Sequence, residues 1–430
     1  MSVGPTSTTG PSVRRVVWRL LISCDDLARV QCCDEDGPVV DDDAVSCWDL
    51  LDWSAEFESL TIRISSLFAH KKSQEHAGQY LEGLLAPIER KNGWTIAEYT
   101  GEKEPKAMQR FLNLTSWDVD ALRDMNRDYA LEHLSDPAAV LVADPTGFAK
   151  KGTKSAGVQR QYSGTLGRVD NCQIGTFLAY VSGAGDRVLI DRELYIPEKS
   201  WFGDRERCAE AAIPAELGFA TRPQQVIGML ERAVAADVPF AWFAADEEFG
   251  QNPGLRRYLE NGVIAYVMAI PKITEFVDTA GGVVMIKNLP AQLPASAWQR
   301  RACGIGAKGF RVYDWAVIDS ADPDHQYMIR RSIDDGELAF YHCYNPRREP
   351  VGELVRIAGA RWPIEECFGA GKGQVGLDQY QVRLYHAWYR HITLSMLAHT
   401  FLAILAHQHH AKKGDLQPAV PTPPPPLPTR

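Results

Sequence analysis

Ala138-Ala-Val-Leu-Val-Ala-Asp144 is an unbroken apolar run of strand length that ends in an acid, and Pro239-Phe-Ala-Trp-Phe-Ala-Ala-Asp246 repeats the pattern far downstream. Short continuous apolar runs, as opposed to alternating ones, belong to strands covered on both faces. Two such strands, each closing on an aspartate, are expected side by side at a sheet centre, where the carboxyl ends of strands commonly form sites. Each aspartate also has a plainer reading, since one that follows a strand often caps a turn or a helix.

Working outward, Cys172 to Val181 and Arg187 to Ile196 read as β-strands joined through Ser182-Gly-Ala-Gly-Asp186, a hairpin with a short turn. Pro223 to Ala236 is amphipathic and helical, Pro253 to Glu260 is a short helix, and Val263 to Ile270 is another buried strand. Three hairpin-like strands followed by helix, strand, helix and strand predict a mixed sheet, antiparallel at first and then built by parallel crossovers. That is the order of a ribonuclease-H-like α/β core, here over residues 137–271.

Residues 272–350 change character. Ile286-Lys-Asn-Leu, Arg311 to Ile318, Tyr327 to Arg331 and Leu338 to Cys343 look like strands between polar turns, which predicts a mostly β insertion. Helix returns over 351–415 and completes the core with C-terminal helices, and the proline-rich 416–430 is expected to be an extended tail. Upstream, residues 57–136 show apolar positions three and four apart, as in Leu60, Ile64, Leu67 and Phe68, and predict an all-helical domain. Within it, Trp94 to Leu112 reads as helix, glycine-containing turn, and a second helix started by Pro105 that carries Lys106, Gln109 and Arg110. This is the layout of a helix-turn-helix, whose second helix can enter a DNA groove, and equally of a plain helical hairpin. Residues 1–56 form an acidic leader on which no structure is predicted.

A chain of 430 residues with 45% hydrophobic and 23% charged residues is ordinary for a water-soluble protein. The longest apolar helix, Leu394 to Ala406, contains His399 and Thr400 and falls short of the roughly 18 apolar residues that span a bilayer. No signal peptide pattern opens the chain, so a cytoplasmic location away from membranes is expected. Nine cysteines without a C-x-x-C pair indicate neither a disulfide framework nor a zinc site. The net charge of −9 is concentrated at the start: residues 1–60 hold twelve acids against four arginines. Elsewhere there are acid-free basic runs, Gly147 to Val169 with Lys150, Lys151 and Lys154, and a second with Arg300, Arg301, Lys308 and Arg311. A local field of this kind attracts a polyanion whatever the global sum.

The third acid lies in Ala358-Gly-Ala-Arg-Trp-Pro-Ile-Glu-Glu-Cys-Phe-Gly-Ala-Gly-Lys372. Glu365 and Lys372, seven apart, return to one side of a helix, and Arg361 shares that face only if Pro363 kinks the helix and does not begin it. Three carboxylates suffice for two magnesium ions about 4 Å apart, the arrangement that cleaves phosphodiesters by activating the attacking oxygen and holding the departing one.

Three separated blocks, in order, resemble the DDE transposases of bacterial insertion sequences, nearest to insertion-sequence family seven-hundred-and-one. They are Asp144-Pro-Thr-Gly-Phe-Ala-Lys-Lys-Gly-Thr-Lys-Ser with Gln161-Tyr-Ser-Gly-Thr-Leu-Gly, then Trp242-Phe-Ala-Ala-Asp-Glu-Glu-Phe-Gly250, then Arg361-Trp-Pro-Ile-Glu-Glu-Cys-Phe with Lys372. The resemblance covers residues 80 to 405. The last block of that group runs tyrosine, arginine, glutamate, lysine; Arg361, Glu365 and Lys372 fit it, while Ala358 stands at the tyrosine position and Pro145 stands where relatives carry an acid. What the resemblance implies is a catalytic and metal-binding triad of Asp144, Asp246 and Glu365 holding two Mg2+ or Mn2+ ions. It further implies binding of double-stranded DNA at terminal inverted repeats and at the target, a homodimer bridging two element ends, release of 3′-hydroxyls, and their attack on target DNA in association with the bacterial nucleoid. Lys150, Lys151 and Lys154 would then hold backbone phosphates, Arg361 and Lys372 the strand near the cut, and Trp298 a displaced base, unless it is a core residue of the insertion. The alternative is a domesticated or inactive relative that binds DNA without cutting it.

Overall fold

The computed structural model describes residues 47–306 and 309–414. The acidic leader up to residue 46, Lys308, and the tail from 415 lie outside the described residues.

Five helices come first: α1 (Cys47–Ser65), α2 (Lys71–Leu85), α3 (Gly93–Tyr99), α4 (Lys106–Asn113) and α5 (Val119–Leu134). Strands β1 (Val140–Ala149), β2 (Gln159–Ser163), β3 (Arg168–Val181) and β4 (Arg187–Tyr195) follow, then helices α6 (Arg205–Glu210) and α7 (Arg222–Ala235). Next are β5 (Trp242–Ala245), α8 (Glu247–Gly250), α9 (Pro253–Asn261) and β6 (Ala265–Ile270). A β-rich stretch holds β7 (Glu275–Val277), β8 (Val283–Met285), β9 (Gln299–Gly306), β10 (Gly309–Asp319), β11 (His325–Arg331) and β12 (Leu338–Tyr344). The last helices are α10 (Val351–Gly359), α11 (Trp362–Val375) and α12 (Tyr385–Lys413).

Two compact units divide the chain, and the division falls elsewhere than at the predicted boundaries. Residues up to Asn126 group with Ala370–Lys413, and Arg127–Gly369 form the other unit. Helix α1 begins at Cys47, ahead of Phe57.

In the first unit the long α12 is the hub. It is buried on nearly every side from Ala387 to Phe401, as expected of a helix that is apolar all round. Phe57 of α1 meets Phe401 edge-on at 5.5 Å, and the Tyr80 hydroxyl lies 2.8 Å from His391 Nδ1. Between α3 and α4 the chain turns over Thr100 to Pro105. Asn92 caps α3 by accepting from the Trp94 and Thr95 amides, and Pro105 precedes α4 as predicted. Met108, Phe111 and Leu112 face inward from α4, leaving Lys106, Gln109 and Arg110 exposed.

The second unit is built on a ten-stranded sheet of order β2-β3-β1-β5-β6-β12-β11-β10-β9, with β4 pairing on β3. Strand β3 runs antiparallel to both β1 and β4, and β5 and β6 run parallel to β1. This is the ribonuclease-H-like order, β4-β3-β1-β5-β6, that the succession of elements predicted. Val140 to Ala143 are wholly buried, which accounts for the unbroken apolar run. Helix α7 packs on β3 and β4, and α10 on β5, β6 and β9. The predicted insertion is mostly β, and it continues the core sheet: β12 adds antiparallel to β6, and β11, β10 and β9 follow.

Asp144 does not close its strand. β1 runs on to Ala149 against β3, and what ends at Ala143 is its parallel pairing with β5. Beyond that point the β5 side of β1 has no ladder partner, so Pro145, which lacks an amide donor, is accommodated as at a sheet edge.

Candidate active site

Two acids are brought level by the sheet. Ala143 pairs with Ala245 in the parallel β1–β5 register, so Asp144 and Asp246 each stand one residue beyond the last paired position. Neighbouring strands lie about 4.8 Å apart. Asp246 also caps α8, its carboxylate accepting from the Glu248 amide at 2.9 Å and the Phe249 amide at 3.4 Å. The plain capping role and adjacency to Asp144 thus coexist. Helix α8 sits close because Gly250 has no side chain: a Cβ there would come within 1.9 Å of the Ala269 carbonyl oxygen.

Glu365 is supplied by the first turn of α11. The helix begins at Trp362 with Pro363 in its opening turn, where a missing amide costs nothing. Arg361 therefore occupies the turn between α10 and α11 and not a shared helix face, yet it still reaches the acids. Its guanidinium lies 3.7 Å from Asp144 and 3.5 Å from Glu365, both longer than the roughly 2.7–2.9 Å of a tight charge-assisted bond. Glu366 is turned to another partner, Arg187, at 2.8 Å. Ala358, at the tyrosine position of the resemblance, is a buried residue of α10.

Negative charge is in excess here. Burial pushes the Asp144 carboxyl up to about 8, with Asp246 adding to the rise, Arg361 opposing it, and Glu365 and Glu248 contributing further. Glu248 is the residue the sequence reading passed over. Paired with Arg222 at 2.6 Å, it adds a fourth carboxylate beside Asp246, and the acid triplet Asp246-Glu-Glu248 was the available signal. These donors are hard oxygens, the type that suits a divalent cation. They do not form a closed cage: among the described residues no group of three or more His, Cys, Asp or Glu side chains is arranged to hold a metal. By donor type and adjacency Asp144 and Asp246 fit such an ion, while Glu365 is exposed and engaged by Arg361.

The other predicted contact residues each have their own surroundings. Lys150 follows the end of β1, six residues from Asp144 and so about 20 Å along the strand. Lys151 is exposed, and Lys154 is paired with Glu210 at 2.6 Å. Trp298 packs half-buried against the core of the β-rich stretch, and the Arg331 guanidinium covers its ring at 4.0 Å. Lys372 belongs to the helical unit, where burial pushes its ammonium below the usual lysine range and Asp378 opposes the shift.

Fold and site define an α/β protein of ribonuclease-H-like strand order with carboxylates gathered where the parallel strands stop pairing. The family described as DDE superfamily endonuclease matches residues 63–287, just over half of the chain, and the chain belongs to that family. Endonucleases of this superfamily generally use divalent metal ions. A curated relative, a probable transposase for insertion sequence element IS701 from Microchaete diplosiphon, is 29% identical over 189 residues, 44% of this chain and 46% of the relative. The match thus spans about half the relative's length. Among solved structures, a cryo-EM structure of the piggyBac transposase synaptic complex with hairpin DNA is similar with a TM-score of 0.42 and 8% identity, over 96% of this chain and 79% of that one.

Proposed function

We propose that the protein is a DNA transposase that binds the terminal inverted repeats of its element, cuts phosphodiester bonds at the carboxylate site, and joins the 3′ ends to target DNA as a homodimer bridging two ends. The observation that carries this reading is the level placement of Asp144 and Asp246 where β1 and β5 stop pairing, with Arg361 touching both Asp144 and Glu365. Asp144, Asp246 and Glu365 are the residues to hold the metal, two ions of Mg2+ or Mn2+. When bound, such ions activate the attacking oxygen and neutralise charge on the departing one.

The chain's own residues do the rest. Asp144, buried on a strand gripped by β3, is a rigid oxygen donor. Asp246 is fixed by the two α8 amides it accepts from, which aims its other oxygen. Arg361, loosely held between two acids, is available to a phosphate of the strand being cut.

The test uses labelled DNA carrying the ends of the chain's own element, with and without Mg2+. Asp144→Asn, Asp246→Asn and Glu365→Gln are each expected to lower nicking by about 100-fold or more, since even changes one shell out from a metal cost about 10- to 100-fold. DNA retention is expected to stay within a few-fold. A chelator should stop cleavage by the parent protein. Undiminished nicking in any one variant removes that residue from the site. A parent protein that binds ends but never cuts them supports the inactive, DNA-binding alternative.

A further inference from the structure

Beside the carboxylates, one face of the β-rich part of the sheet carries guanidinium groups that the site described above leaves unused. Trp362, the residue after Arg361, lies nearly parallel to Tyr313 of β10, at 6.4 Å and 13°. The Arg311 guanidinium rests over the Trp362 ring at 4.8 Å, and that of Arg330 over Tyr313 at 4.6 Å and Trp362 at 5.7 Å. In the register Tyr313 faces Arg301, and Trp315 faces Arg330, so Arg301, Arg311 and Arg330 share this face with the two rings. The row reaches back to the site through Tyr341, a buried phenol on which the charges of both Arg330 and Arg361 act.

What distinguishes these cations is the lack of an acidic partner. Asp314 takes Arg300 at 3.0 Å and Arg331 at 3.2 Å, and Arg361 is shared between Asp144 and Glu365. Among the described residues no carboxylate lies within ion-pairing distance of Arg301, Arg311 or Arg330, and the buried Nε of Arg330 has no hydrogen-bond partner. A guanidinium laid flat on an aromatic face keeps its edge N–H groups free, in the planar fork that matches two oxygens of one phosphate.

We propose that Arg311 and Arg330, seated on Trp362 and Tyr313, form with Arg301 beside them on the same face a row that binds the phosphodiester backbone of DNA next to the cutting site. This rests on the reading of the protein as a DNA-cutting enzyme, and it adds a substrate track that neither lysine loop nor Trp298 supplies. The row holds the strand by its phosphates, so it is indifferent to sequence.

Binding of a duplex carrying the element ends is measured against salt concentration, with a chelator present so that nothing is cut. Each lost phosphate contact lowers the slope of log affinity on log salt by about 0.9 for duplex or about 0.7 for a single strand. Arg311→Gln is expected to lower the slope by about one contact, and Arg311→Gln with Arg330→Gln by about two. Arg300→Gln removes the same formal charge from a group already paired with Asp314 and should leave the slope unchanged. Thermal melting separates misfolding from lost contacts, and Arg311→Gln alone decides if the double variant does not fold. An unchanged slope in folded Arg311→Gln, or an equal drop in Arg300→Gln, overturns the row alone. A parent protein that binds no DNA removes the functional reading and the row together.

Discussion

At the scale of single residues, neighbours in sequence take opposite parts. Glu365 and Glu366 are adjacent, but only Glu365 touches Arg361, while Glu366 forms a half-exposed pair with Arg187. Such pairs contribute about 0–1 kcal/mol, so Glu366→Gln is expected to leave DNA cleavage within a few-fold of the parent and shift stability by less than about 1 kcal/mol, where Glu365→Gln is expected to lower it by about 100-fold or more. Loss in Glu366→Gln with full cleavage in Glu365→Gln would mean that the residue spacing selected the wrong acid. The spacing of Arg361, Glu365 and Lys372 was legible in the sequence; the local geometry was not, because Pro363 leaves open a kinked or a newly started helix, and only packing decides. His342 gives a second prediction. Burial, with His325 and Arg256 adding to it, lowers its imidazole to about 3, and the ring bonds His325 at 2.9 Å. Folded His342 is neutral where the unfolded chain, with a histidine near about 6.5, binds a proton, so its contribution is complete above that value and is lost as pH falls toward 3. In urea unfolding followed from pH 7 to 4, His342→Asn should show a shallower fall in midpoint than the parent protein. Parallel curves would mean another group sets the acid limb.

Among elements, a close approach sets where the turn before Glu365 lies. A Cβ on Gly359 would come within 1.7 Å of the Cys303 carbonyl oxygen, so α10 is seated on β9 through a bare backbone. Gly359→Ala is expected to cost about 1–3 kcal/mol, as overpacking does, and to reduce cleavage too, because Arg361 and Trp362 follow immediately. Gly369, on an exposed side of α11 with nothing near its Cβ position, is the contrast: Gly369→Ala should raise stability by up to about 1 kcal/mol. Melting both variants tests the pair, and a harmless Gly359→Ala would show that α10 shifts freely. The strands carrying Asp144 and Asp246 could be read in advance because burial on both faces leaves an apolar signature. β2 could not, since Gln159-Arg-Gln-Tyr-Ser163 is polar and half-exposed and its pairing with β3 is decided by tertiary contact. For the same reason β10, β11 and β12 were visible as strands, whereas Ile286-Lys-Asn-Leu, expected to be a strand, forms a 3-10 turn, and continuation of the core sheet depends on β12 finding β6 some seventy residues earlier.

For the whole molecule, the notable fact is that the helical unit draws on both ends of the described chain, residues up to 126 and 370–413. Periodicity revealed the helices and the buried character of α12, but no local pattern says which helices it joins. Without α12, Phe57 and Tyr80, now buried, would lose Phe401 and His391 as partners. A fragment of residues 47–126 is expected to show little cooperative unfolding by circular dichroism, and addition of residues 370–413 through a linker to restore a single transition. A stable transition in the short fragment would assign α12 a lesser part. During synthesis the same feature imposes a delay. Roughly 300 residues separate α4 from the end of α12, on the order of 15–60 s at ribosomal speed. Throughout that interval the first helices emerge with greasy sides unpaired, a natural point for chaperones to attend the nascent polypeptide and for any aggregation to begin.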